Sequence, residues 1–258
     1  MTVTANAVIR RGPLRSDVIR SRAAGPLRLL HPRAAGNAAW IVTSSLGGGL
    51  VDGDEVALDV VVESGTALIT TQASSKIYKG TSRQRLDVRV HGDGCALVVP
   101  DPIVPYRDAS YTQVTRIALD AESSLVLMDM VTAGRIAHGE RWACTRFDAT
   151  LALSIADRTV LVDRVVLDGE IATRMTRFAA LGTAVLVGPR VGALGRAQLA
   201  SLGRVERRAE LIVAGSPLVD GAILRVAGDN IERVTATLRA LLRPACEELG
   251  EDPWSRKW

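Results

Sequence analysis

Residues Glu55–Val90, EVALDVVVESGTALITTQASSKIYKGTSRQRLDVRV, decide the fold class. At their start, Val56, Leu58, Val60 and Val62 share one face of a period-two repeat, and Ala57, Asp59, Val61 and Glu63 share the other. Ser64-Gly65-Thr66 breaks the run, and ALITTQASSKIY follows as a second strand. In RQRLDVRV, Arg83, Arg85, Asp87 and Arg89 then alternate with Gln84, Leu86, Val88 and Val90. A pleated backbone turns successive side chains to opposite faces, so this is the pattern of strands with one wet face and one buried face.

The pattern spreads outward. HGDG, His91 to Gly94, reads as a turn, and CALVVP as a strand stopped by Pro100, Pro102 and Pro105. YTQVTRIALD, SSLVLMDMV, RFDATLALSI and RTVLVDRVVLD continue the series, with Asp157 and Asp168-Gly169 as breaks. Short strands at near-regular spacing predict a mainly β body, a single domain over residues 1–258. No repeat of 20–50 residues announces a solenoid. Toward the C-terminus the period changes. VGALGRAQLASLGRV groups Leu194, Leu199 and Leu202 and predicts a helix, and ELIVAG and AILRVAG predict strands. DNIERVTATLRALL places Ile231, Val234, Leu238, Leu241 and Leu242 at helical spacing, with Asp229 as the expected N-cap, Glu232 three residues later, and Pro244 as the expected end or kink.

Upstream lies SSLGGGLVDGDE, Ser44 to Glu55. A dinucleotide fingerprint needs G-x-G-x-x-G between a strand and a helix. Gly47 and Gly49 fit, but Asp52 takes the third position and a strand follows, so no helix N-terminus is offered to a phosphate. Gly-Lys-Ser/Thr occurs nowhere, which excludes a P-loop. These glycines read as a turn or a close backbone approach.

Hydrophobic residues make up 47% of the 258, enough for a sizeable core, but aromatics only 3%, so the core rests on Val, Leu, Ile and Ala. The net charge of +4 comes without a basic stripe and predicts no nucleic-acid partner. Cys95, Cys144 and Cys246 are odd in number and far apart, which fits a reducing cytoplasm better than a disulfide framework, and Cys95 and Cys144 read as small core residues in strands rather than catalysts. The segment MTVTANAVIRRGPLRSDV has no apolar core of signal-peptide length, and the longest uncharged stretch, Ala34–Val51, is too polar and glycine-rich to span a membrane.

His31, His91 and His138 make no helical metal pair, and His91 with Cys95 is only half a motif, so no closed zinc site is expected. No G-x-S-x-G occurs. What stands out is polar residues set into apolar strands: Asp129 in LVLMDMV, Asp163 in VLVDRVV, Thr70, Thr71 and Gln72 after ALI, and Glu140 closing GRIAHGE. Burying a carboxylate alone is costly, so each must be solvated, paired or functional. Asp163 beside Arg164 also fits an exposed face. Asp129, apolar on both sides, points to a polar channel or an interface.

Five segments, in order, resemble one family. GGGLVDGDE is similar to the Gly-Gly-Leu/Ile-Val-x-Gly-Asp segment of the D-type urease accessory proteins. TTQASSKIYK resembles their Thr-x-x-Ala-Ser/Thr-Lys-x-Tyr segment, and VPDPIVPYRDASY their proline-rich one, with Asp101 where Gln and Tyr106 where Phe is usual. MDMVTAGRIAHGE resembles Asp-x4-Gly-Arg-x3-Gly-Glu, and VLVDRVVL the Leu-x-Asp/Glu-Arg segment. The resemblance implies a helically wound, distorted β-helix-like strand body with a few α-helices toward the C-terminus. It implies a cytoplasmic, non-enzymatic scaffold that binds urease apoprotein and helps deliver nickel, working with the F-type accessory protein and, through it, the G-type GTPase. Nickel would be bound transiently, with no tightly held cofactor.

Motif by motif, Asp54, Ser75, Lys76, Asp129, Glu140 and Asp163 are the expected polar-channel residues, and Asp54, Asp129, Glu140 and Asp163 the transient nickel ligands. Hard oxygen ligands suit a divalent ion that must move on. The rival expectation is a small β-fold hydrolase or ligand-binding enzyme using Asp129 and Glu140 as an acid/base pair in a concave pocket.

Overall fold

The computed structural model describes residues 4–33, 36–206 and 208–255. The chain opens with β1 (Ala5–Arg11), β2 (Ser16–Ala23) and β3 (Leu27–Leu30), and then winds. β4 (Ala39–Ser45) and β5 (Gly49–Leu50) lead into a full turn made of β6 (Glu55–Val62), β7 (Thr66–Thr71) and β8 (Ser75–Ile77). A second turn follows in β9 (Gly80–Val90), β10 (Cys95–Val98) and β11 (Ile103–Pro105), and a third in β12 (Ala109–Leu119) and β13 (Ser124–Thr132). After β14 (Arg146–Ile155) and β15 (Arg158–Asp168) come α1 (Ile171–Arg174), β16 (Ala180–Val187), α2 (Gly192–Ala200), β17 (Leu211–Leu218), β18 (Gly221–Gly228) and α3 (Ile231–Glu248).

Parallel pairing between turns makes the body a solenoid. One wall has the order β15-β14-β12-β9-β6-β1-β2, and the other β17-β18-β16-β13-β10-β7-β4-β3. The short β5, β8 and β11 form a narrow third side running into the end of β13. Each turn advances 28 or 29 residues: Leu58 lies beside Leu86 and Leu86 beside Thr115, Ala67 beside Ala96 and Ala96 beside Leu125. The repeat is one of position and not of residue, which is why the sequence shows no period. Inward positions need only be apolar, and Val60, Val88 and Ile117, or Val62, Val90 and Leu119, stack as buried ladders.

Two cores result. One fills the space between the walls, with Ile9, Leu58, Val60, Ile69, Leu125, Leu127 and Phe147. The other lies under α2 and α3, where Val126, Met128 and Met130 meet Leu238, Leu241 and Leu242. β13 is therefore buried on both faces, so it reads as a continuous apolar run interrupted by Asp129. Among the described residues, α2 and α3 pack on the larger wall, against β13, β16, β17 and β18.

Three local expectations change. α3 is capped by Asn230, whose side chain accepts from Arg233 N at 2.9 Å, one residue after the expected Asp229. α3 continues through Pro244 to Glu248, because Leu241, Leu242, Ala245 and Cys246 on its packed face hold both sides of the proline against the sheet. Cys144 is buried but precedes β14 and is not part of a strand. The triple glycine is structural: Gly47 and Gly48 hold φ of 81° and 74°, and a Cβ on Gly49 would stand 2.4 Å from Lys76 O. No helix among the described residues is long and apolar enough to cross a membrane.

Candidate functional site

The solenoid leaves a cavity of about 200 Å³ between its walls. Its mouth lies where Ser44 at the end of β4, Gln72 and Ser74 after β7, and Ser75 and Lys76 on β8 reach the surface. Inside, Thr43, Thr70, Thr71, Gln84, Arg85, Asp101, Gln113, Thr115 and Asp129 stand among the apolar lining residues. The threonines are held by their own bonds: Thr70 Oγ1 donates to Val99 O at 2.7 Å, and Thr71 Oγ1 to Asp101 at 3.0 Å.

Like Asp101, which accepts from Thr71, Asp129 is a half-buried carboxylate on this lining. Its Oδ1 accepts from Met130 N at 2.8 Å and its Oδ2 from Gln113 Nε2 at 2.6 Å. Gln113 comes from the facing wall and is itself held by Tyr111, whose hydroxyl lies 3.2 Å from Gln113 Oε1 and 3.1 Å from Gln84 Oε1. Tyr111 is fully buried against Phe147. No lysine or arginine among the described residues pairs with Asp129. Burial therefore dominates and pushes its carboxyl up to about 6, against the Met130 and Gln113 hydrogen bonds that pull it down. The result is an interior carboxylate that no cation among the described residues pairs with.

The other expected residues are distributed around this point. Ser75 and Lys76 sit on β8 at the cavity mouth, Ser75 half-buried with its N–H on Pro102 O at 3.0 Å, and Lys76 exposed. Asp54 lies outside the cavity and closes a turn, its Oδ2 accepting from Val51 N at 2.8 Å. Glu140 is buried, but Arg135 grips both its oxygens, at 2.9 and 2.5 Å. That guanidinium holds the Glu140 carboxyl below its ordinary value. Arg135 also lies 4.2 Å over the Tyr106 ring, which meets Tyr78 edge-on. Asp163 is inward and mostly covered, paired with Arg225 Nη2 at 2.8 Å.

Asp129 and Glu140 thus share no partner, and only Asp129 lines the cavity. No group of three or more His, Cys, Asp or Glu side chains among the described residues is placed to hold a metal ion. Asp129 thus stands on the wall of a cavity, while Glu140 and Asp163 are paired with arginines elsewhere and Asp54 closes a turn. Sequence reading missed Tyr111, Gln113 and Arg225. The first two had a signal, since Tyr111, Gln113 and Thr115 precede Ile117 and Leu119 on one alternating face, which marks a polar stretch of interior.

Residues 4–258 match the family described as UreD urease accessory protein. The chain belongs to that family. It is 44% identical, over 95% of its length, to the urease accessory protein UreD of Sorangium cellulosum (strain So ce56), covering 80% of that protein. It is 38% identical, over 93% of its length, to the UreD of Anaeromyxobacter sp. (strain Fw109-5), of which it covers 84%. To urease accessory protein D of Arabidopsis thaliana it is 29% identical over 89% of its length, and it covers 92% of that chain. The stacked turns, the cavity and the Asp129–Gln113–Tyr111 chain are thus features of a member of the UreD family.

Proposed function

We propose that this chain is a non-catalytic scaffold in urease maturation. It binds urease apoprotein, works with the F-type and G-type accessory proteins in the cytoplasm, and lets nickel pass between its walls as cargo. Membership of the UreD family across residues 4–258 carries the link to urease. The single structural observation that supports the passage is Asp129, an interior carboxylate with no cationic partner on the wall of a mouth-bearing cavity.

Chemically, the site suits a transient divalent ion. One carboxylate with hydroxyl, amide and carbonyl oxygens offers weak, hard ligands, and a closed set of thiolates or imidazoles would retain the ion. A hydrolase built on Asp129 and Glu140 has no support in the geometry, because Arg135 occupies Glu140 away from the cavity.

The test is co-purification with urease apoprotein, followed by urease activation with and without the chain in the presence of the F- and G-type proteins. The scaffold reading expects a stable complex and activation that depends on this chain. Full activation without it would refute the reading.

A further inference from the structure

Strand register carries polar side chains past the cavity to one edge of the sandwich. On the inner face of the larger wall, Asp129 stands beside Thr183 of β16, and Thr183 beside Arg225 of β18. Partners in register share a face, so these three form one lateral row. On the facing wall, Thr115 stands beside Leu151 of β14, and Leu151 beside Asp163 of β15. Asp129, Thr115 and Leu151 all line the cavity. Both rows therefore start at the cavity, and the Arg225–Asp163 ion pair joins them at their far ends. β15 is the edge of its wall, and β18 lies one strand from the edge of the other. Thr183 and Leu151 are only half-buried, although Val185 and Val187 on the same inner face are fully buried.

An arginine lining a cation route is an obstacle while it points inward. The Arg225 side chain is 45% exposed and the Asp163 side chain 17%, so Arg225 is the member able to leave while Asp163 stays. We propose that the Arg225–Asp163 pair is a latch across the second end of the inter-wall passage. It is closed in this structure and opens when the Arg225 guanidinium swings into solvent. Opening frees the Asp163 carboxylate to face inward at the far end of its own row, roughly 10 Å, or two strand spacings, from Thr115 at the cavity. The inference rests on the passage reading and names its gate.

The test needs no nickel. Cysteine at position 183 (T183C) reports access to the row, and the native Cys95, Cys144 and Cys246 are buried and silent. The probe is iodoacetamide, a small neutral reagent whose approach is not biased by charge. R225Q should speed its reaction with T183C roughly fivefold, the factor by which a partly exposed ion pair biases an opening. R225K and the charge swap D163R/R225D should keep the rate of T183C alone. An unchanged rate in R225Q, or a swap as fast as R225Q, would overturn the latch. The two readings fail separately: unchanged labelling removes the latch whatever nickel does, and normal urease nickel content with D129A removes the passage whatever the labelling shows.

Discussion

Asp129 and Asp148 are both aspartates in long strands of the same solenoid, and their surroundings are opposite. Asp148 points out from the seven-stranded wall and is held by Arg164 at 2.8 and 2.9 Å and Arg146 at 2.7 Å. Those guanidiniums, Arg164 first, hold its carboxyl down at about 2. Asp129 points in, meets only an amide from each side, and is pushed up to about 6. The outer carboxylate is spent on the fold, while the inner one is held at the fold's expense. A charge kept at such a cost without a built-in counter-ion is what a passing cation would satisfy.

The two carboxylates titrate with opposite consequences, which gives the comparison its sharpest break points. Asp129 carries a folded value above the unfolded 3.8, so its stabilisation is complete below about pH 4 and is lost as pH rises through about 6. D129N removes that loss. It should be more stable than the natural chain above pH 6 by up to about 3 kcal/mol and no different near pH 4, as read by urea unfolding across that range.

The next largest effect lies on the outer wall. R146A/R164A leaves Asp148 covered and unpaired, and should cost about 2–3 kcal/mol at pH 7. Because Asp148 has a depressed value, its stabilisation is present above 3.8 and disappears as pH falls through about 2, so the gap to the natural chain should close over that interval. A gap that persists at pH 2 would mean that the arginines act by packing alone.

Tyr111 tests what holds Asp129. Y111F keeps the ring and removes the hydroxyl that orients the Gln113 amide. It should cost about 1–2 kcal/mol. It should also move the Asp129 titration further upward, because the turned amide no longer donates; carbon-detected NMR of the carboxyl reads that shift. The smallest effect is expected at Glu55–Arg83, an exposed pair on the same outer wall as Asp148. E55A should change stability by less than about 0.5 kcal/mol, showing that burial and not pairing sets the weight of a carboxylate here.

How far the sequence reaches follows the range of the interactions. Alternation in Glu55–Val90 is local, so the β body and its buried face were legible. The winding was not, because Leu58, Leu86 and Thr115 share a position without sharing chemistry. Asp129 was legible as a carboxylate between apolar neighbours. The capture of Asp163 was not, since its partner Arg225 lies 62 residues away on the other wall, and the adjacent Arg164 turned out to serve Asp148 instead. Glu140 has its arginine five residues off, across a single 3-10 turn, a spacing that neither strand nor α-helix periodicity marks.

The central claim is that Asp129 is the interior ligand past which nickel moves. The most direct measurement is the nickel content of urease matured with the D129A chain in place of the natural one, with thermal unfolding and co-purification with urease confirming an intact chain. The account predicts urease that is clearly nickel-poor beside a chain that folds and docks normally. Urease with its full nickel content would contradict it.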